Sequence, residues 1–198
     1  MNWITRWKKI GIKVKHILKK QPREQESSDW KNCPQCKKIS YLADLITNSY
    51  ICECSYHFDL PPKLRLESLF DSTYKIIEAP GNINPDPLNF EVKDGARKGY
   101  KYIEKINKYR KITGQKTALM CATGSISNLN AVVVCFNPKF GAGRFGPAEN
   151  EHFLKAANFA AQQKVDIWIV IYQSSGIDVH TGVTGLAGMT KSIIAMNE

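Results

Sequence analysis

The sequence predicts an α/β fold preceded by a small cysteine module and a basic amphipathic helix. Three observations predict it: four cysteines lie between residues 33 and 54, apolar strand-like segments alternate with amphipathic ones after residue 61, and positive charge is concentrated at the N-terminus. We therefore expect residues 1–29 to form a basic helix and linker, residues 30–60 the cysteine module, and residues 61–198 a layered α/β domain.

The charge distribution limits the function classes. The chain has 28 Lys and Arg against 18 Asp and Glu, a net charge of +10. Residues 1–38 carry a net charge of +8, and residues 39–198 carry only +2. This excludes a wholly basic nucleic-acid-binding domain, although a basic arm remains an alternative. No window reaches the run of about 18 apolar residues that crosses a bilayer, so the sequence also predicts no membrane span.

The first segment, Met1–Lys20, has an apolar stripe at helical spacing with lysines on the opposite side. The stripe consists of Trp3, Trp7, Ile10, Val14, Ile17 and Leu18. Such a helix packs on a partner subunit, lies on an anionic membrane surface, or acts as a targeting segment, and the pattern leaves all three open. Lys and Arg interrupt every apolar run, so we expect no signal peptide and a location in the cytoplasm or a plastid-like organelle.

The cysteine module has the spacing Cys33-x2-Cys36, fifteen residues, then Cys52-x-Cys54. Two cysteines separated by two residues fit on one tight turn, and two such turns at the ends of a hairpin enclose a tetrahedral zinc. The sequence thus predicts a structural Zn²⁺ ribbon with four cysteine ligands. The single residue between Cys52 and Cys54 weakens the pattern, because an extended chain would point these thiols to opposite sides.

His57 is an alternative ligand, since Cys54-x2-His57 restores the two-residue spacing. A weakened or empty site is a third alternative, and spacing alone does not decide among them. Cys121 and Cys135 stand alone in apolar segments, where we expect buried and unreactive thiols.

The first half of the α/β domain is punctuated by proline and glycine. Leu64–Phe70 is amphipathic and predicts a helix, whereas Ala79–Leu88 has three prolines and predicts a loop. A Lys- and Tyr-rich helix is expected over Gly99–Ile112, ending at Thr113-Gly114.

The second half alternates strands and helices. Ala118–Thr123 and Ala131–Phe136 flank a turn at Ser127–Asn130 and predict a hairpin. The remaining predicted elements are a glycine-rich loop at Phe140–Gly146, a helix at Glu149–Lys164, an apolar strand at Ile167–Tyr172, a Ser174–Gly176 turn and a last helix ending at Met196. Strand, helix and strand in succession predict parallel pairing.

Several of these segments occur in an order that identifies a family resemblance. After the cysteines come Asp86-Pro87-Leu88-Asn89-Phe90, Tyr102, Thr113-Gly114, Ala118-Leu119, the Phe140–Gly146 loop, the Ser-Gly turn, and Leu186, Met189 and Lys191. From Trp3 almost to the C-terminus, the chain resembles the β subunit of the bacterial and plastid acetyl-coenzyme A carboxylase carboxyltransferase.

The resemblance implies a crotonase-like (ClpP/crotonase) core. It also implies transfer of a carboxyl group from carboxybiotin on a carrier protein to acetyl-CoA, giving malonyl-CoA for fatty-acid synthesis. The implied partners are an α-type carboxyltransferase subunit, the biotin carboxyl carrier protein and biotin carboxylase.

The implied reaction passes through an enolate, whose oxygen needs fixed hydrogen-bond donors. Backbone N–H groups at a glycine turn before a helix supply them. Gly143, Gly146, Ser175 and Gly176 are therefore the candidate catalytic residues, through their backbone amides. The alternative is that these glycines only make tight turns between strands and helices.

The chain departs from the family pattern at both loops. The family's turn resembles Ser-Gly-Gly-Ala-Arg-Met-Gln-Glu, whereas this chain has Ser174-Ser175-Gly176-Ile177-Asp178-Val179-His180-Thr181. Asp178 reverses the charge of the arginine, and we expect it to repel a developing anion by about 2 kcal/mol. In the first loop, a Gly-Gly-Ser-Met-Gly pattern is replaced by Ala142-Gly143-Arg144-Phe145-Gly146.

Family members also continue beyond the last predicted helix, so we expect a partial core that a second polypeptide completes or that serves a structural role. Two further hypotheses follow: a degenerate scaffold subunit that keeps only the ribbon and partner surface, and a nucleic-acid-binding ribbon protein. His152 and His180 have no visible partner in the sequence, and we expect satisfied or solvent-facing side chains at both positions.

Overall fold

The computed structural model describes residues 29–93 and 99–196, which form two compact units dividing between Phe58 and Asp59. The predicted helix Met1–Lys20 lies outside the described residues. Among the helices of the described residues, none is long and apolar enough to cross a membrane.

The first unit is a short hairpin followed by one helix. Strand β1 (Trp30–Asn32) pairs antiparallel with β2 (Ile39–Tyr41), and α1 (Leu42–Thr47) follows directly. The N–H of Cys33 donates to the Lys38 carbonyl oxygen at 2.8 Å and closes the hairpin turn. Its buried apolar side chains are few: Cys33, Leu45, Tyr50 and Cys52.

The second unit contains the rest of the secondary structure. In chain order its elements are α2 (Pro62–Leu69), β3 (Lys75–Ile77), β4 (Glu91–Val92), β5 (Tyr100–Lys101), α3 (Tyr102–Thr113), β6 (Leu119–Ile126), β7 (Leu129–Phe136), a 3-10 turn (Gly141–Gly143), α4 (Pro147–Gln163), β8 (Ile167–Ile171), a second 3-10 turn (Val179–Thr181) and α5 (Val183–Ala195).

The main sheet has the strand order β3-β6-β7-β8 and is mixed. The β3–β6 and β6–β7 pairs are antiparallel, and only β7 and β8 are parallel, joined by the crossover helix α4. The predicted α/β class is confirmed, and the two strands of the predicted strand–helix–strand unit, β7 and β8, are parallel as expected. The predicted hairpin β6–β7 is antiparallel, because Ser127 and Asn128 adopt left-handed conformations, with φ of 51° and 63°, and reverse the chain within two residues.

Apolar side chains cover both faces of this sheet. On one face, Val132 and Val134 pack with Phe145, Phe153 and Ala156, the last two from α4. On the other, Val133 and Cys135 pack with Leu66 and Phe70, from α2 and its end. Successive side chains of β7 thus point to opposite faces of the sheet, and both faces are buried.

Most predicted boundaries agree with the structure within about three residues. The helix expected from Gly99 begins instead at Tyr102, because Tyr100 and Lys101 pair with β4. Gly114 ends this helix with φ of 68°, as the predicted glycine stop requires. Ala79–Leu88 is a loop, as predicted.

Helix α5 packs closely on α4 through glycine. A Cβ at Gly188 would overlap the side chain of Asn150, and one at Gly185 would lie 2.6 Å from Thr181 Oγ1. Ser192 Oγ donates to Asn150 Oδ1 at 3.0 Å and fixes the register of the two helices. The outer side of α5 is apolar and between 37 and 77% exposed, at Val183, Leu186, Met189, Ile193 and Ile194.

Candidate active site and metal site

The glycine loop and the Ser-Gly turn lie side by side at one end of the sheet. Phe145 and Ile177 form a parallel bridge in which the Phe145 N–H donates to the Gly176 carbonyl oxygen at 2.9 Å. The Asp178 N–H in turn donates to the Phe145 carbonyl oxygen at 3.0 Å. The fold therefore brings together the two loops that the sequence predicted as one site.

The Asp86–Phe90 segment and Tyr102 border this junction. Asp86 Oδ1 accepts the Phe90 N–H at 3.0 Å, and the Phe90 carbonyl oxygen accepts the Tyr102 N–H at 2.9 Å. The Phe90 ring lies edge-on to His180, with centroids 5.1 Å apart. Two further segments of the family pattern therefore reach the same place.

All four predicted amide donors have acceptors within the chain. Gly143 donates to the Phe140 carbonyl oxygen at 3.1 Å, and Ser175 to that of Ala142 at 2.9 Å. Gly146 donates to Glu149 Oε2 at 3.1 Å, and Gly176 to Ser174 Oγ at 3.0 Å. Only the Gly176 N–H relies on an exposed hydroxyl acceptor, which can rotate away.

Gly143 and Gly176 have different reasons to be glycine. A Cβ at Gly143 would overlap the Gln173 carbonyl oxygen, so glycine is needed there for packing. Gly176 has φ of 100°, and a Cβ there would meet no atom within 4 Å. Open space above a left-handed backbone is what the approach of a ligand requires.

A cavity of about 290 Å³ elsewhere in this unit is lined by Pro61, Ile112 and Met120, among others, and by none of the four predicted catalytic residues.

Asp178 and Arg144, both departures from the family pattern, pair with each other. The Arg144 guanidinium binds Asp178 Oδ2, and their side chains are 7 and 3% exposed. The expected repulsion from an unpaired Asp178 is therefore wrong, because a buried cation neutralises it. The sequence contained the two opposite charges 34 positions apart, but no local pattern that would connect them.

Glu149 completes the buried charge cluster from the first turn of α4. Its Oε1 accepts the Ala118 N–H at 3.0 Å and lies 3.9 Å from an Arg144 nitrogen. Arg144 Nε is buried and has no hydrogen-bond partner among the described residues. The sequence missed this role of Glu149, because the Ala118 N–H that it accepts comes from 31 positions away.

Both histidines in this unit have partners, as predicted. His180 Nδ1 lies 2.9 Å from Asp178 Oδ1, and its ring stacks on Tyr102 with centroids 4.1 Å apart. His152 is buried between Thr117 Oγ1 and the Ile77 carbonyl oxygen, each at 2.8 Å. Burial lowers the pKa of His152, because the charged imidazolium is poorly solvated there.

The four cysteines of the first unit converge on one point. Their sulfur atoms all lie within 4.8 Å of one another, and the Cys33–Cys54 and Cys36–Cys52 pairs are each 3.7 Å apart. A tetrahedral zinc with bonds of about 2.3 Å separates its sulfurs by about 3.8 Å, so the donor set fits that metal. The cluster can hold a metal ion, and His57 is not part of it.

The thiols of Cys52 and Cys54 do not point to opposite sides, contrary to the expectation for an extended chain. The chain makes a tight turn at Ser55, between Cys52 and Tyr56. Ser55 adopts φ of 66°, its N–H donates to the Cys52 carbonyl oxygen at 2.8 Å, and the Cys52 N–H donates to that of Tyr56 at 2.8 Å. Burial opposes ionisation of Cys33, yet hydrogen bonds from the N–H groups of Cys36 and Gln35 lower its pKa to about 7. A thiolate is the form that binds metal.

Cys121 and Cys135 lie in the core of the sheet, as predicted. Burial raises the pKa of both thiols, that of Cys135 to about 11. Buried thiols with raised pKa values are poor nucleophiles, so neither is a candidate catalytic residue.

Comparison with known proteins agrees with the sequence pattern. No family model matches the chain. Several curated relatives are named acetyl-coenzyme A carboxylase carboxyl transferase subunit beta. That of Pelagibacter ubique is 29% identical over 100% of this chain and 62% of its own length. Those of Pedobacter heparinus and Maricaulis maris are each 30% identical, over 97% and 99% of this chain and 65% and 59% of their own lengths, respectively. The chain thus spans about three fifths of the length of the relatives that it matches.

Solved structures give more distant matches. A Pseudomonas malonate decarboxylase hetero-tetramer in complex with malonate aligns at 16% identity and a TM-score of 0.47, over 70% of this chain and 46% of its own. The β subunit of P. aeruginosa geranyl-CoA carboxylase aligns at 13% identity and a TM-score of 0.47, over 78% of this chain and 24% of its own. Both TM-scores are below 0.5.

The similarity to the curated relatives extends from the cysteine module through α5, and many bacterial relatives share it. Along nearly its whole length, the chain is thus similar to acetyl-coenzyme A carboxylase carboxyl transferase beta subunits.

Proposed function

We propose that this chain is a β-type subunit that transfers a carboxyl group from carboxybiotin on a carrier protein to acetyl-CoA, giving malonyl-CoA. The observation that carries the proposal is the junction of the two loops with Phe90 and Tyr102, all segments of the family pattern. The relatives' name supports an enzyme of this class and a role as one subunit among several.

Within this site, the Gly176 N–H is the donor proposed for the enolate oxygen of acetyl-CoA. It is the candidate amide whose acceptor is an exposed hydroxyl and whose position opens onto free space. The Ser175 N–H joins the two loops through the Ala142 carbonyl oxygen, whereas the Gly143 and Gly146 N–H groups bond within the glycine loop and to the first turn of α4. Their proposed contribution is to fix the position of the Gly176 donor. Removing one donor of this kind typically raises the barrier by about 3–4 kcal/mol.

Partners and a structural metal are part of the proposal. The exposed apolar side of α5 supports a subunit contact, since isolated soluble chains rarely expose such a face. We assign an α-type carboxyltransferase subunit, the biotin carboxyl carrier protein and biotin carboxylase as partners. A Zn²⁺ held by Cys33, Cys36, Cys52 and Cys54 would stabilise the first unit and take no part in the chemistry.

The test uses the reverse reaction, in which malonyl-CoA donates its carboxyl group to biotin. The chain is purified with an α-type subunit, and acetyl-CoA formation is measured for the wild type and the G176A and G81A variants. We expect G176A to lose at least about tenfold in kcat/KM, because the new Cβ occupies the space open to the ligand.

Gly81→Ala is the control for the added methyl group alone. A Cβ at Gly81 also meets no atom within 4 Å, and Gly81 lies in the Ala79–Leu88 loop without the positive φ of Gly176. G81A is expected to match the wild type. Absence of malonyl-CoA-dependent transfer by the folded, zinc-loaded wild-type complex would refute the enzymatic proposal and favour a scaffold subunit.

A further inference from the structure

His180 is held by a buried carboxylate on one side and faces a tyrosine hydroxyl on the other. Its Nδ1 lies 2.9 Å from Asp178 Oδ1, and its Nε2 lies 3.4 Å from the Tyr100 hydroxyl. The backbone N–H of His180 also donates to Asp178 Oδ1, at 3.1 Å. The imidazole is thus fixed at both its backbone and its ring, while 26% of the side chain stays exposed.

These contacts assign the proton on the ring. Asp178 accepts from Arg144 and from the Tyr102 hydroxyl through its Oδ2 atom. Its Oδ1 atom is therefore an acceptor for the Nδ1 proton of neutral His180. Nε2 then carries a lone pair, and the Tyr100 hydroxyl is a donor that a substrate group can displace at this long distance.

The surroundings of the ring are largely set by neighbouring elements. Tyr102 of α3 stacks on one face, and Phe90 meets the ring edge-on. The charged groups around it are Asp178 and, behind Asp178, Arg144 and Glu149. The Lys105 ammonium lies over the Tyr100 ring, 3.7 Å from its centroid.

We propose that Nε2 of His180 accepts a proton from the α-carbon of an acyl-CoA thioester bound at the Ser174–Gly176 turn. This rests on the proposed function, which places a thioester there. His180 and Gly176 belong to one short loop that is fixed to the glycine loop through the Phe145–Ile177 bridge. The same loop therefore carries a proton acceptor and the proposed oxyanion donor.

The step is balanced without any other reactant. The α-carbon C–H bond breaks, its proton forms an N–H bond at Nε2, and the electron pair moves onto the thioester oxygen as an enolate. The enolate then takes a proton back from Nε2. In D₂O the proton on Nε2 exchanges with solvent before it returns, so deuterium enters the methyl group of acetyl-CoA.

The experiment measures that exchange with the full chain alone, without biotin. Wild type, H180N and Y172F are incubated with acetyl-CoA in D₂O, and methyl deuteration is followed by mass spectrometry. The side-chain amide introduced by H180N keeps an N–H donor for Asp178 but has no basic nitrogen, so we expect at least about a tenfold loss of exchange. Tyr172→Phe is the control, because its exposed hydroxyl contacts only Met196 Sδ among the described residues and should leave the rate unchanged.

A second measurement does not depend on the variant's folding. A reaction that uses a side-chain base has a rate that rises with pH and then levels off, and we expect this profile for exchange in the wild type. A rate proportional to hydroxide throughout, or equal rates in folded H180N and wild type, would overturn the inference.

Calorimetric binding of acetyl-CoA separates this inference from the proposed function. Binding without exchange refutes the role of His180 and leaves the proposed function standing. Failure to bind acetyl-CoA, both alone and with the α-type subunit, refutes the two together.

Discussion

Arg144 and Asp178 show why a single substitution is a poor guide to the chemistry of a site. Asp178 taken alone places a negative charge beside a group that should stabilise an anion. In the folded chain its charge is matched by Arg144, and its remaining lone pairs bind Tyr102 and His180. The pair links the two loops and leaves no isolated carboxylate beside Gly176.

A double-mutant cycle on Arg144 and Asp178 tests this coupling. We expect R144M and D178N each to lower the free energy of unfolding by about 3–5 kcal/mol. R144M removes the buried cation beside Asp178 and Glu149, and D178N leaves Arg144 with Glu149, 3.9 Å away, as its buried counter-charge. The double variant should lose clearly less than the sum of the two. Urea denaturation provides the measurement, and additive losses would show that the two charges are not coupled.

At the scale of secondary structure, the β6–β7 hairpin illustrates how turn geometry decides pairing. Its strands pair from Leu119 opposite Phe136 to Ile126 opposite Leu129, with Ser127 and Asn128 between them. The Asp71 carboxylate accepts the N–H groups of both turn residues, at 3.0 Å each, and these bonds lower its pKa. The sequence predicted the hairpin but not the role of Asp71, which comes from 56 positions away.

The turn offers a stability prediction at Ser127. Its φ of 51° strains a residue with a Cβ, so S127G should raise the free energy of unfolding by about 0.5 kcal/mol. Asn130→Gly is the control, because Asn130 lies in strand β7, where glycine should cost about 0.5–1 kcal/mol. Thermal and urea unfolding of both variants check this, and a destabilised S127G would contradict the strain argument.

The elements of the second unit were largely predictable, because helix and strand periodicities and glycine or proline stops are local signals. The contacts that make the site were predictable only in part. The family resemblance, and not the spacing, led to the expectation that Gly143 and Gly176 belong to one site, and the bonds that occupy their amides depend on tertiary packing. The Arg144–Asp178 pair and the Tyr100–His180 contact likewise join distant positions, and a single sequence contains no signal for them.

The whole molecule combines two units with very different means of stabilisation. The second unit has apolar clusters on both faces of its sheet and a third around Tyr102, Ile106 and Phe140. The first has few buried apolar side chains, and two of them are cysteines of the metal cluster. A chain segment of about 30 residues with so small a core rarely folds without a metal or disulfides.

Metal removal should therefore unfold one unit and spare the other. After treatment with a strong chelator, we expect amide hydrogen exchange to become fast over residues 29–58 and to stay unchanged over residues 59–93 and 99–196. C36S should reproduce this pattern without chelator, because a lost ligand lowers zinc affinity, whereas C135S should leave residues 29–58 protected, since Cys135 lies in the sheet of the second unit. Mass spectrometry of exchanged peptides, with zinc content measured in parallel, provides the readout. Protection of residues 29–58 in the zinc-free protein would show that the cysteine module folds on its apolar contacts alone.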